Sequence, residues 1–250
     1  MYRIVVLGVL ISSSAFAGGK VVDESRQVGD FTGVHVGSGI QARVETGARG
    51  PIALRGDEEV LKHVRTQVKG SVLTIDIDWD RRETSTDIPT TVTVRLPSAT
   101  SLGVSGGAQM DASVPAAEEL EIHASGGGRL KLSTVVQTKR FLLDASGGSG
   151  VTLAGVQAGT AELHLSGGSR STLSGRADSA RAALSGAATL DAAGLQVDTL
   201  DVGGSGHARA EIRALKSVRG SLSGGSRVRV PAAADVRVGT SGGAAVTQDL

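Results

Sequence analysis

The sequence predicts an all-β chain wound as a parallel β-helix, on three observations. A Ser-Gly-Gly tripeptide that begins at Ser105 returns at Ser125, Ser146, Ser166, Ser185, Ser223 and Ser241, with Gly203 in place of the serine once and Ala187 in place of the second glycine once. Successive intervals are 20, 21, 20, 19, 18, 20 and 18 residues, the steady period of a solenoid whose coils bury their apolar faces only against one another. Apolar residues also keep fixed distances from the serine: three before it (Leu102, Ile122, Leu143, Leu163), one before it (Val104, Ala124, Ala145, Leu165) and seven after it (Ala112, Leu132, Leu153, Leu173). Around Gly203 the same columns read Leu200, Val202 and Ala210.

Polar residues fill the columns between. Each coil therefore holds two short strands of period two, joined at a tight corner where glycine takes positive φ without a Cβ clash. Eight coils of about 4.8 Å each make a rod about 38 Å long. A leucine-rich repeat would need an Asn or Cys column, and a propeller blade about 40 residues.

In chain order, Met1, Tyr2 and Arg3 precede an apolar run from Ile4 to Ile11 and then Ala15-Phe16-Ala17. A basic start, a short apolar core and a small-residue site predict a signal peptide over 1–17, shorter than the roughly 18 apolar residues of a membrane span. The expected organisation is thus a signal peptide, a leader or first irregular strand over 18–29, and a β-helix domain over 30–250. Within the last, Val34, Val36, Ile40, Ala42 and Val44 alternate around Gly37-Ser38-Gly39 as a divergent first repeat. Pro51–Arg55 is a short strand. Asp57, followed by Glu58 and Glu59, starts the one predicted helix, which Val60, Leu61, Val64 and Val68 carry to about Val68. Ser71–Trp79 alternates as a strand, Asp80–Pro89 is charged and read as an exposed loop, and Thr91–Leu96 is a strand stopped by Pro97.

Composition narrows the function. Without cysteine, neither a disulfide nor a thiolate metal site supports the fold. Without Arg3 the chain carries 25 basic and 25 acidic residues, which argues against nucleic acid or an anionic membrane surface as partner. Glycine, at 36 of 250, is about twice its usual share but has no Gly-X-Y period, so collagen is excluded.

Phe31-Thr-Gly-Val-His-Val-Gly-Ser-Gly39, Gly56-Asp-Glu-Glu-Val-Leu61, Gly70-Ser-Val-Leu-Thr-Ile75, Val92-Thr-Val-Arg-Leu-Pro97 and the Ser-Gly-Gly coils together resemble the head GIN domain family, labelled auto-transporter adhesins. The resemblance covers roughly residues 30–250. It implies an exported bacterial protein with a right-handed parallel β-helix. No translocator barrel follows Val246-Thr-Gln-Asp-Leu250 in this sequence, so the chain is not read as an autotransporter by itself.

Four patterns could carry chemistry. Gly103-Val-Ser105-Gly-Gly107 and Gly239-Thr-Ser241-Gly-Gly243 fit the Gly-x-Ser-x-Gly nucleophile elbow. That motif has meaning only on a strand-to-helix turn of an α/β sheet, so both are read as corners of the repeat. His123, Asp144 and His164 fall in one outward column, about 5 Å apart from coil to coil. They could ligate a transition metal, but the outer pair lies two coils apart, which favours a hydrogen-bonded ladder. No coil supplies the Asp of a calcium-binding Gly-Gly-x-Gly-x-Asp turn, and no cofactor is expected. Finally, Arg129, Lys131, Arg170, His207, Arg209, Arg227 and Arg229 stand four and six places after the serine. They form a basic stripe, strongest over the last two coils, where anionic glycan or phosphate could dock. Outward arginines also solubilise solenoids and block sheet edges. Asp76, Asp78 and Asp80 beside Trp79 read as a charged strand end.

The sequence therefore points to a non-catalytic exported β-helix module for binding, adhesion or structure at the bacterial envelope, in periplasm, on the surface or in the medium. Its partners would be envelope or surface glycans or proteins. The alternatives are a polysaccharide-acting enzyme and a self-assembling solenoid. The first needs grouped carboxylates and aromatic platforms, yet only Phe31, Trp79 and Phe141 follow the signal peptide. The second would pair copies through the final coil from Val236, which has no polar cap after it.

Overall fold

The computed structural model describes residues 14–16, 19–78 and 88–249. Most of the expected signal peptide, Trp79, Asp80 and most of the charged loop lie outside the described residues. The rest is a parallel β-helix.

Two parallel ladders run the length of the solenoid. In one, Gly33–Val36, Ala99–Val104, Ala116–Ala124 and Val136–Ala145 stack in that order and continue through the C-terminal halves of the long strands Gly150–Leu165, Arg170–Leu184, Thr189–Gly204 and Arg209–Leu222 to Asp235–Thr240. In the other, Gln41–Thr46, Gln109–Ser113 and Arg129–Leu132 lead through the N-terminal halves of the same long strands to Arg227–Val230 and Ala245–Gln248. The coils are richer than two strands each. Val136–Thr138 pairs with Val156–Ala158, which pairs with Gly175–Ala177, so the middle coils carry a third short side.

Stacking order departs from chain order at the N-terminal end. Gly33–Val36 sits between Val72–Ile77 and Ala99–Val104, and Gln41–Thr46 sits between Thr91–Leu96 and Gln109–Ser113. The first coil in sequence is thus wedged between the next two. Antiparallel strands close this end: Val64–Lys69 pairs with Val72–Ile77, Ile52–Asp57 with Thr91–Leu96, and Gly19–Arg26 with Ile52–Asp57. The stretch read as a leader or irregular strand is therefore a regular eight-residue strand.

The helix is shorter than its periodicity predicts. It spans Glu58–His63, with the Asp57 carboxylate accepting from the Glu59 N–H at 2.9 Å as the N-cap. From Val64 the chain is extended, because Val64, Thr66 and Val68 are β-branched on one face and Gly70, at φ 61°, turns it into a hairpin with Val72–Ile77. Val60 and Leu61 pack into the core as expected.

The corner repeat is a β-turn. The backbone carbonyl of Ser125 accepts from the Gly128 N–H at 3.0 Å, and the first glycine of each corner takes positive φ. The corners also bond to one another: the Gly148 N–H donates to the Gly126 carbonyl, and the Gly168 N–H to that of Gly147. The register differs from the sequence reading in one coil. Leu184 stands opposite Gly204, and the Ser205 N–H donates to the Leu184 carbonyl as the Ser185 N–H does to that of Leu165. The corner is therefore Ser205-Gly206-His207, not Gly203-Gly204-Ser205. Gly204, Val202 and Ile212 replace Val202, Leu200 and Ala210 in the three inward columns. The serine column is unbroken from Ser105 to Ser241.

Inward residues form one aliphatic core in which Leu102, Ile122, Leu143, Leu163 and Val202 have no exposure. Each such large side chain contributes about 1.5–3 kcal/mol relative to an exposed one. Ser171 interrupts this core. It is fully buried between Val151 and Leu190, and its hydroxyl has no hydrogen-bond partner among the described residues. Because an unpaired buried hydroxyl costs about 1–3 kcal/mol, Ser171→Ala should raise stability, and a thermal or urea melt of the variant checks it. An unchanged or lower midpoint would mean that the hydroxyl has a partner.

Candidate functional site

The outward side chains form columns along the solenoid, and three of them bring chemistry together. The first is assembled by the wedged coil. His35 Nε2 lies 3.1 Å from Ser105 Oγ across 70 residues of sequence. The ring fits because position 103 is glycine: a Cβ there would come 2.4 Å from His35 Nδ1. A cleft of about 640 Å³ opens beside the pair, lined also by Ser38, Thr74 and Asp76. Ser105 is the serine of one Gly-x-Ser-x-Gly match. Neither expected feature of an elbow is present around it, since the turn joins two strands and no hydrogen bond among the described residues links Asp76 to the imidazole.

His35 is half-buried, and that burial holds its pKa below the ordinary imidazole value; nearby His123 adds to the effect and Asp76 opposes it. The unfolded chain therefore takes up a proton near pH 6.5 while the folded chain still resists it. Stability from this site is complete above that pH and is lost as pH falls toward the folded pKa. The melting temperature of the wild type should accordingly drop more steeply between pH 7 and pH 5 than that of His35→Gln. Parallel curves would rule out His35 as the source.

The second column continues past Gly103. His123 Nδ1 and His164 Nδ1 lie 3.4 Å and 2.9 Å from the two oxygens of Asp144, and Glu121 stands 3.4 Å from His123 Nε2. The carboxylate bridges the two imidazoles through separate oxygens. Among the described residues, no group of three or more His, Cys, Asp or Glu side chains has the arrangement to hold a metal ion. Beyond His164 the column shrinks to Ala183 and Gly203, leaving a shallow trough of about 680 Å³ beside Ser166, Ser185 and Ser205.

The third column lies past the corner on the other ladder. In register it reads Gln41, Gln109, Arg129, Gly150, Arg170, Thr189, Arg209, Arg227 and Ala245. All four arginines are exposed, and none forms an ion pair among the described residues. Lys131 stands in the neighbouring column and is likewise unpaired. Two members of the expected stripe behave differently. Arg229 bonds to Glu211 and Asp249 at 2.9 and 3.2 Å, which raises its pKa and neutralises its charge. His207 is a corner residue whose ring lies over Gly225, 3.0 Å from where a Cβ would be. The expectation that the stripe is strongest over the last two coils thus changes. Free charge is spread from Arg129 to Arg227, and it is flanked by neutral Thr152 and Thr172 in its first half and by Asp191 and the paired Glu211 in its second.

The aromatic side chains of Phe31 and Phe141 are both buried, so neither offers an outward platform. Among the described residues, no helix is long and apolar enough to cross a membrane. Stacked coils, shallow clefts and columns of like side chains define a parallel β-helix protein that meets its surroundings through its outer faces. Residues 30–234 match the family described as "Putative auto-transporter adhesin, head GIN domain", and the chain belongs to that family. No curated protein matches it. The fold is shared with crystal structures of a "putative adhesin" from Parabacteroides merdae (18% identity, 92% of this chain and 96% of that one, TM-score 0.81) and of another from Parabacteroides distasonis (21%, 92% and 98%, 0.82). A "putative lipid binding protein" from Parabacteroides distasonis is equally similar in fold, at 14% identity, 92% and 97% coverage and TM-score 0.82.

Proposed function

We propose that this protein is a non-catalytic, exported recognition module of the bacterial envelope, which holds surface glycans or proteins through its outer columns. The observation that carries this reading is the column of arginines from Arg129 to Arg227, unpaired among the described residues and held two coils apart, then one, on the stack. Family membership supports an adhesion-like role, and the signal-like N-terminus supports export. Shallow clefts suit broad weak contacts better than turnover of a small substrate. The test is binding of the purified protein to a panel of neutral and anionic glycans at two salt concentrations. Salt-sensitive binding to anionic members, weakened when Arg129, Arg170, Arg209 and Arg227 are changed to Gln, is expected. Absence of binding across the panel would sink the reading.

A second reading, self-assembly, rests on the opposite end of the stack. Among the described residues Asp235–Thr240 and Ala245–Gln248 are each paired on one side only, and Val236, Val238 and Val246 are partly exposed there, whereas antiparallel strands close the other end. A free edge of this kind is a template for strand pairing between copies. Light scattering that shows a dimer, lost on Val238→Lys, would favour it. A strict monomer would dismiss it.

A further inference from the structure

We infer that the ligand of the basic column is a linear acidic polysaccharide with one carboxylate on every second sugar, lying along the solenoid axis. The inference rests on the recognition reading above and goes further by assigning charge spacing and direction. Parallel pairing places Arg129, Gly150, Arg170, Thr189 and Arg209 on consecutive coils, so charged and uncharged positions alternate, and Arg227 follows directly after Arg209. With coils about 4.8 Å apart, the first three guanidinium groups recur at about 10 Å and the column spans about 24 Å. One sugar ring advances an extended glycan by close to one coil, so a uronic acid in each disaccharide meets one arginine at every second coil. Guanidinium is the group suited to such carboxylates, because its planar fork can donate two parallel hydrogen bonds.

Two further features align the chain with the column. On the corner side the neighbouring positions are small beside Arg129 to Thr189, namely Gly127, Gly148, Gly168 and Ala187, and the His207 ring borders the column beside Arg209 and Arg227. On the other side Asp191, beside Thr189, repels an anion that strays from the column there, while Glu211 is taken up by Arg229. Nucleic acid fits less well. Among the described residues Phe31 and Phe141 are buried and cannot stack on a base, and single-strand binders rely on such stacking.

The test uses size-fractionated hyaluronan oligosaccharides, with one glucuronate per disaccharide, beside oligogalacturonates, with one uronate per sugar, and a single-stranded oligonucleotide. Hyaluronan affinity should climb with length to about six sugars, the span of the column, and then level off. At equal numbers of charges hyaluronan should bind more tightly than oligogalacturonate. Arg170→Gln should weaken the hexasaccharide about two- to fivefold, as expected for one exposed charge pair. Filling the gaps with Gly150→Arg and Thr189→Arg should shift preference toward oligogalacturonate. Salt-sensitive binding with no length threshold, no spacing preference, or equal affinity for the oligonucleotide would overturn this inference while leaving the recognition reading standing. No binding to any acidic glycan would overturn both.

Discussion

Gly220→Ala is expected to dismantle the last layers of the solenoid. Gly220 lies in the inward column between Val202 and Val238, where its φ of 141° is accessible in practice only to glycine. A Cβ built there would stand 1.8 Å from the Val202 carbonyl oxygen and 2.9 Å from its amide nitrogen. Both contacts are backbone atoms held in the ladder, so no side-chain rotation can relieve them. Strain and overlap together should cost about 4 kcal/mol or more, among the larger effects of a single substitution. Each coil touches only its neighbours, so the loss need not spread through the rod. Hydrogen exchange should show protection collapsing over residues 217–248 while Ala99–Ala145 keeps its own. Retained protection throughout would mean that the ladder shifts to accept the methyl group.

Position 220 also shows how far the sequence could be read. Inward columns announce themselves through Leu102, Ile122, Leu143 and Leu163, because a coil cannot bury an apolar face except on its neighbour, and the all-β class and coil period follow from them. A glycine in such a column looks like a lapse in the pattern, since φ is not written in the residue type. The wedged first coil was illegible for a related reason. Val34, Val36, Ala42 and Val44 specify which faces turn inward, but pairing partners depend on how Ile52–Asp57 and Val64–Lys69 close the end of the stack. The His35–Ser105 contact is a consequence of that wedging, and 70 residues of separation hid it.

The site was partly legible on the same terms. Coil period alone put His123, Asp144 and His164 in one row, and parallel pairing realises that row as a carboxylate between two imidazoles. It also put Arg129, Arg170 and Arg227 on one face. What the period could not supply was pairing. Arg229 is as basic in sequence as Arg227, yet Glu211 on the preceding coil and Asp249 on the following one neutralise it. Acidic partners one coil away are visible only once the register is known.

That register makes a prediction at the coil where the tripeptide misled. Gly203, Gly204 and Gly206 flank Ser205, and two phases of the repeat fit them equally well as letters. The physical difference is that from the Ser125 corner onward only the first glycine takes positive φ, although Gly107 also does at the Ser105 corner, while the second position tolerates Ala187 and His207. Gly206 has φ 73°, and a Cβ on it would lie 2.8 Å from the Gly186 carbonyl oxygen, which itself accepts from the His207 N–H at 2.7 Å. Gly206→Ala should therefore cost about 2–3 kcal/mol, or about 5–10 °C in melting temperature. At Gly204 the nearest obstacle is a δ-methyl of Leu222, 2.7 Å away on a movable side chain, so Gly204→Ala should cost about 1 kcal/mol. Gly203 meets no atom within 4 Å and should accept alanine within about 0.5 kcal/mol. The tripeptide phase that begins at Gly203 demands the reverse order for Gly204 and Gly206, because it puts the positive φ at Gly204. Three melting curves decide between the phases, and a larger loss at Gly204 than at Gly206 would return Gly203 to the serine column and move Arg209 out of the arginine row.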